Sequence, residues 1–287
     1  MAYLLLLFVT FVWAGNYPAG KIALGVIDPM PLIAFRTMIG AMLLTLMVRR
    51  SHPNWKTAMF EDLFSTIILS VTGVAASGLL FYFGLKYTTA SNAGIISAST
   101  PIWVTLLSWI FLAERSRLIN VCGVVLSFAG LVIIVCQGSL SVLLNRSFNV
   151  GDLLILIGQL NWAIYTVYGR KVMERRPATL ATGSAYLMGA IILLPLAFLG
   201  SPTRMLQQFS LPVAIAAAYL CILSPLSNLW YSRALAVVSP HRAAVFMNLM
   251  PIIVLVFSAV VLHERISAAQ ITGTIMVISG VILTTRF

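Results

Sequence analysis

Charge is what this chain has least of. Only 9% of its 287 residues are Asp, Glu, Lys or Arg, against roughly a quarter in soluble globular proteins. A water-facing surface for 31.2 kDa of protein cannot be assembled from so few. A soluble enzyme is therefore excluded. Carboxylates are scarcer still, with seven Asp and Glu in total, and there are three histidines. None of the acids falls in the middle of an apolar run, and no acid or histidine pair stands at metal-ligand spacing within one. Glycine-rich phosphate loops and dinucleotide turns are missing, and no nucleophile has a base beside it. The expectation is a protein that is not an enzyme and needs no metal or cofactor. The three cysteines, Cys122, Cys136 and Cys221, lie in apolar stretches without zinc or redox spacing and read as small packing residues.

Apolar residues make up 60% of the chain and the mean hydropathy is +1.01. The runs predict ten transmembrane helices of about 20 residues each. They fall near 3–23, 30–49, 63–86, 92–112, 117–136, 152–172, 179–199, 212–236, 242–262 and 267–286. Turn signals separate them, such as Asp28-Pro29-Met30-Pro31 and Arg175-Arg176-Pro177. The first run, Tyr3 to Trp13, has no basic segment before it and reads as a span, not a cleaved signal peptide. The 18 basic residues, a net charge of +11, sit singly or in short clusters between runs. No continuous basic face exists, which argues against a nucleic-acid partner. The lipid bilayer is the partner implied.

The two halves of the chain repeat. A shift of 150 places Pro101-Ile102 on Pro251-Ile252, Glu114-Arg115 on Glu264-Arg265, Gly123 on Gly273 and Gly130 on Gly280. A shift of 149 places Trp13-Ala14 on Trp162-Ala163 and Gly20 on Gly169. Such a pattern divides the chain into 1–146 and 147–287. With five spans each, an odd number, the second half enters the membrane from the opposite side, giving an inverted repeat. The expected fold is an all-α polytopic membrane protein. With the N-terminus inside, twelve basic residues (Arg49, Arg50, Lys56, Arg115, Arg117, Arg170, Lys171, Arg175, Arg176, Arg233, Arg242, Arg286) face the cytoplasm. Six (Lys21, Arg36, Lys86, Arg146, Arg204, Arg265) face out, so both termini are expected in the cytoplasm.

Polar stripes mark candidate substrate-binding faces. Ser224, Ser227, Asn228 and Tyr231 share one face of the eighth span, and Trp13, Asn16, Tyr17 and Gly20 one of the first. Trp162 and Tyr165 are neighbours in the sixth, Ser97, Thr100 and Ser108 share a face of the fourth, and Asn248 lies in the ninth. Each residue alone could equally be interhelical glue, worth about 0.6 kcal/mol. Pro18, Pro101, Pro225 and Pro251 fall inside spans. Each removes a backbone donor and is a candidate hinge, Pro101 and Pro251 at equivalent places in the two halves. Asp152, Glu114 and Glu264 sit at span ends, where charge costs little, so no buried carboxylate for proton coupling is expected. Arg36, about six residues or roughly 9 Å inside the second span, is expected to snorkel to the interface. Gly123, Gly130, Gly273 and Gly280 allow close helix contact, within the chain or at a dimer seam.

The twin half-repeats carry a family likeness. Ala90-Ser91-Asn92-Ala93-Gly94 leads to Pro101 and Leu112-Ala113-Glu114-Arg115; its echo runs from Pro240 through Ala243-Ala244 and Pro251 to Leu262-His263-Glu264-Arg265. With the Trp-Ala of the first and sixth spans, the chain resembles the EamA family of the drug/metabolite transporter superfamily, within it most like the aromatic amino acid exporters. The resemblance implies ten helices in two inverted halves and export of small metabolites across a bacterial inner membrane. It also implies a central cavity formed by the first, third, fourth, sixth, eighth and ninth helices, which adds Ser77 and Tyr82 to the candidate lining. Met247 and Met250 stand where the first half has Ser97 and Thr100, so the two sides of the cavity need not be equally polar. The function expected is alternating-access transport of an amino acid or similar zwitterion, by a monomer or homodimer. A broad drug or nucleoside exporter, or a membrane scaffold or channel, are the alternatives.

Overall fold

A computed structural model describes residues 2–112, 118–136, 138–139, 149–199, 210–238, 246–247 and 249–286. Every regular element among them is helical. In chain order these are α1 (Ala2–Leu24), α2 (Pro29–Ser51), α3 (Trp55–Phe60), α4 (Leu63–Ser70), α5 (Ala76–Tyr87), α6 (Ala90–Ser97) and α7 (Thr100–Leu112). There follow α8 (Leu118–Val135), α9 (Val150–Met173), α10 (Ala178–Leu193), α11 (Leu211–Leu235), α12 (Met250–Val261) and α13 (Ala268–Arg286). Six continuous helical stretches are long and apolar enough to cross a bilayer: Ala2–Leu24, Pro29–Ser51, Leu63–Tyr87, Val150–Met173, Ala178–Phe198 and Leu211–Leu235. Shorter apolar helices accompany them. Large apolar side chains point outward, with Leu4 and Phe64 each 73% exposed and Leu211 74%. On a water-soluble protein that surface would drive aggregation; against lipid tails it is the ordinary boundary.

The elements start where polar side chains meet free backbone donors. Asp62 accepts from Ser65 N at 3.1 Å, Thr89 from Asn92 N at 3.0 Å and Asn149 from Gly151 N at 2.7 Å. Three departures from continuous spans appear. The third run carries a π-helical segment, Val71–Ala75, between α4 and α5. The fourth is broken at Ala98–Ser99, so that Pro101 takes the second position of α7; Pro251 likewise takes the second position of α12. Proline at a helix start leaves unsatisfied only a donor that would be free anyway. Pro18 and Pro225, by contrast, stand inside the unbroken helices α1 and α11. The short α3 lies in a stretch that the apolar pattern leaves as a connection.

Helix packing gathers α1, α2, α5, α6 and α9–α12 around a common interior, with α8 and α13 forming a tight pair beside it. That pair settles the role of the four glycines. A β carbon on Gly130 would stand 2.8 Å from the Gly273 carbonyl oxygen, and one on Gly280 would stand 2.6 Å from Ser127 N and press on the Gly123 carbonyl. The small-residue face is consumed inside the chain, where Ser127 Oγ also donates to Val277 O at 3.1 Å. It is not available as a dimer seam.

The expectation for Asp152 needs correction. Although it sits in the first turn of α9, it is fully buried. Its carboxylate accepts from Thr88 Oγ1 and, at 3.5 Å, from Asn92 Nδ2. Those donors and the positive end of its own helix replace the water that a terminal position was expected to supply.

Candidate functional site

Midway along α1, Trp13, Asn16 and Tyr17 stand on one face at i, i+3 and i+4 and turn into the interior. Opposite them on α11 are Ser224 and Asn228, also one helical turn apart. Trp13 Nε1 donates to Asn228 Oδ1 at 3.2 Å, and Asn228 Nδ2 donates to Tyr186 Oη at 2.7 Å. Asn16 Nδ2 donates to Ser224 Oγ at 3.3 Å. From α9, Trp162 meets Trp13 edge-on at 5.4 Å and stacks on Tyr165 at 4.8 Å. The third run closes the circle with Ser77, Phe81 and Tyr82, and Phe81 lies 5.2 Å from the Tyr17 ring.

Together these faces enclose a cavity of about 690 Å³, counted to its open mouth. Its lining is mostly apolar and aromatic with a few converging polar groups, the composition of small-molecule sites. The π segment shapes one wall. Gly73 sits within it and lines the cavity, and the Tyr165 ring presses so closely on it that no β carbon would fit. Ser77 Oγ donates to Thr72 O and Thr72 Oγ1 to Ile68 O at 2.7 Å, meeting carbonyls around the altered ladder. Such π turns recur where a helix must re-aim side chains at a site.

Of the residues expected from sequence, Trp13, Asn16, Tyr17, Ser77, Tyr82, Trp162, Ser224 and Asn228 line this cavity. Ser97, Tyr165 and Ser227 do not line it. Ser97 Oγ bonds back to Ala93 O at 2.8 Å and accepts from Gln159 Nε2 at 3.0 Å, holding Gln159 into the cavity from behind. Tyr165 Oη pairs with Ser232 Oγ at 3.2 Å. Ser227 Oγ turns back to Ser224 O at 2.6 Å, within its own helix. Asn248 lies outside the described residues. Met247 and Met250 do line the wall, as apolar members beside the polar Gln159, Ser224 and Asn228 of the same half.

Two strongly polar lining residues escaped the sequence reading. Gln159 stands one helical turn before Trp162, and extending the Trp162 stripe backward by three would have found it. Arg36 is the larger omission. It does not snorkel to the interface; it is 9% exposed and turned inward. Its Nη2 donates to Ser224 Oγ at 2.6 Å, and its guanidinium carbon lies 5.8 Å from the centre of the Tyr82 ring. A long side chain near a helix end can reach either water or the protein interior, and here the interior offers a hydroxyl and an aromatic face. Among the described residues no group of three His, Cys, Asp or Glu could hold a metal ion.

Known proteins resemble this chain in sequence and in fold. The sequence profile of the EamA-like transporter family matches the chain twice, over residues 1–136 and 149–286. An uncharacterized transporter of Archaeoglobus fulgidus is 32% identical over 289 residues, spanning 99% of this chain and 96% of that one. The uncharacterized transporter YyaM of Bacillus subtilis is 26% identical over 281 residues, spanning 98% and 92%. A solved protein structure shares the fold with a TM-score of 0.67 at 17% identity, over 99% of this chain and 95% of that one. A largely apolar, all-helical chain folded around a central cavity and matched over its whole length by transporters belongs to the EamA-like transporter family of the drug/metabolite transporter superfamily.

Proposed function

We propose that the chain exports small metabolites, amino acids with aromatic or other neutral side chains, across a bacterial inner membrane by alternating access. The observation that carries this reading is the cavity between α1, α2, α5, α9 and α11. Its rings offer an apolar wall, and Asn16, Ser77, Gln159 and Ser224 offer uncharged polar contacts. Trp162 is the wall residue to test. Trp162→Ala, reconstituted in liposomes, is expected to shift selectivity between aromatic and aliphatic amino acids by about tenfold or more, since a buried aromatic-to-alanine change removes a large packing surface. Uptake competed by a panel of unlabelled amino acids reads this directly. An unaltered ranking would remove Trp162 from the pathway.

Two inverted five-helix halves, 1–146 and 147–287, are the architecture proposed for the transport cycle. Helix packing supports it, because the most extensive contacts between spans have counterparts when the halves are exchanged. α1 against α11 matches α9 against α5, and α2 against α11 matches α10 against α4. The pairs α2–α10 and α8–α13 match themselves. Two packings of equal kind give two states of similar energy, one open to each side. The corresponding topology puts both termini in the cytoplasm. A reporter fused after Phe287 should be active only inside; a periplasmic signal would overturn the arrangement.

A further inference from the structure

The cavity contains a cation and nothing to balance it. Arg36 is the one charged side chain among the described lining residues, and no carboxylate lines the wall with it. An uncompensated charge held among apolar groups is costly, and intramembrane cations normally find a partner. The partners here are all uncharged: the Ser224 and Tyr186 hydroxyls and the Tyr82 ring. Arg36 Nε is buried with no hydrogen-bond acceptor among the described residues. The fork faces the cavity beside Gly78, whose own vacant position is taken up by Ile33. Two further groups are buried and unpartnered in the same wall, the acceptor Asn16 Oδ1 and the donor Trp162 Nε1. Arg36 and Asn16 both reach Ser224 Oγ, at 2.6 and 3.3 Å, so their polar tips converge on one spot.

We propose that Arg36 anchors the carboxylate of the carried solute, which supplies the missing counter-charge. The inference rests on the transport reading above and deepens it. A planar guanidinium with a free Nε edge matches a carboxylate with two parallel hydrogen bonds. One cation neutralises one negative charge, so a singly charged carboxylate fits where a doubly charged phosphate ester would remain unbalanced. An ammonium on the neighbouring carbon meets Asn16 Oδ1 and the aromatic faces, but no acid holds it. The carboxylate is therefore the required group and the ammonium the dispensable one.

The test uses the purified full chain in liposomes and four competitors of one shape: phenylalanine, 3-phenylpropionate, phenylalaninamide and phenethylamine. Phenylalanine and 3-phenylpropionate should compete within a few-fold of each other, and the two compounds lacking a carboxylate at least about tenfold more weakly. Arg36→Gln should bring the four to within about twofold. Its folded yield should hold or rise, since a buried unpaired charge has gone. Arg36→Lys should keep the order with a smaller spread, because a point charge replaces the fork, and it carries the same test on a second variant. An Arg36→Gln protein with the wild-type preference, or an amide that competes as well as the acid, would overturn the anchor. Equal competition by all four leaves transport standing without the anchor, whereas competition by none of them overturns both.

Discussion

Gly130→Leu is expected to lose most of the folded protein, with a destabilisation of about 3 kcal/mol or more, the upper end of what overpacking costs. The reason is that its neighbour is backbone. A β carbon at Gly130 would lie 2.8 Å from the Gly273 carbonyl oxygen and 2.8 Å from Met276 Cβ. A flexible side chain could move aside; a carbonyl in the middle of α13 cannot without parting two helices along their length. Gly273→Leu should behave the same way, since its own β carbon would meet the Gly130 carbonyl at 2.9 Å. Gly169→Ala is the contrasting case. Its β carbon would make ordinary contacts at 3.5 Å with Leu69 and 3.6 Å with Met173, and the change removes a flexible residue from a helix interior. It should be neutral or stabilise by up to about 1 kcal/mol. Thermal unfolding of detergent-purified variants, with monodispersity checked, separates them. If Gly130→Leu melts with the wild type, the α8–α13 contact is not the close packing described here.

What could be read from the residues beforehand follows from which interactions are local. Span positions are legible because lipid demands long apolar runs, and the runs at 3–23 and 212–236 differ from α1 and α11 by one residue at each end. The break before Pro101 is signalled by the proline itself. The π segment at Val71–Ala75 carries no such signal, and the ring packed on its Gly73, Tyr165, comes from another helix. The site divides in the same way. Periodicity finds which face of α11 is polar, and it correctly groups Ser224 with Asn228. It cannot tell that Ser227, on the same face, bends back to its own helix, or that Asn228 has one donor and one acceptor already committed to Tyr186 and Trp13. Arg36 was misread for a stronger reason. Its sequence position is compatible with the membrane surface, and what turns it inward is a hydroxyl 188 positions away.

Glu264→Ala is expected to destabilise the fold by about 2–3 kcal/mol, the loss of a charged helix cap with several donors. The carboxylate reaches from the loop before α13 to the N-terminus of α6. There it accepts from Ala90 N at 2.9 Å, Ser91 N at 3.0 Å and Ser91 Oγ at 2.6 Å. Negative charge at that helix end is favoured by the aligned peptide dipoles as well. The loop is shaped for the contact: His263, just after α12, takes a left-handed φ of 54°, and Glu264 N bonds back to Ser258 O at 3.2 Å. Glu264→Gln should recover only part of the loss, because an amide has one oxygen for three donors and its NH₂ group opposes the others. The contact also joins the two halves of the chain, away from the cavity. In a carrier that alternates by moving one half against the other, weakening it should change the rate of transport more than the apparent affinity for solute. Thermal unfolding gives the first quantity and initial-rate uptake in liposomes gives the second. A Glu264→Ala protein as stable as the wild type would mean that water replaces the carboxylate at α6 without cost. An affinity change as large as the rate change would place Glu264 in contact with the solute path instead of in the frame that moves around it.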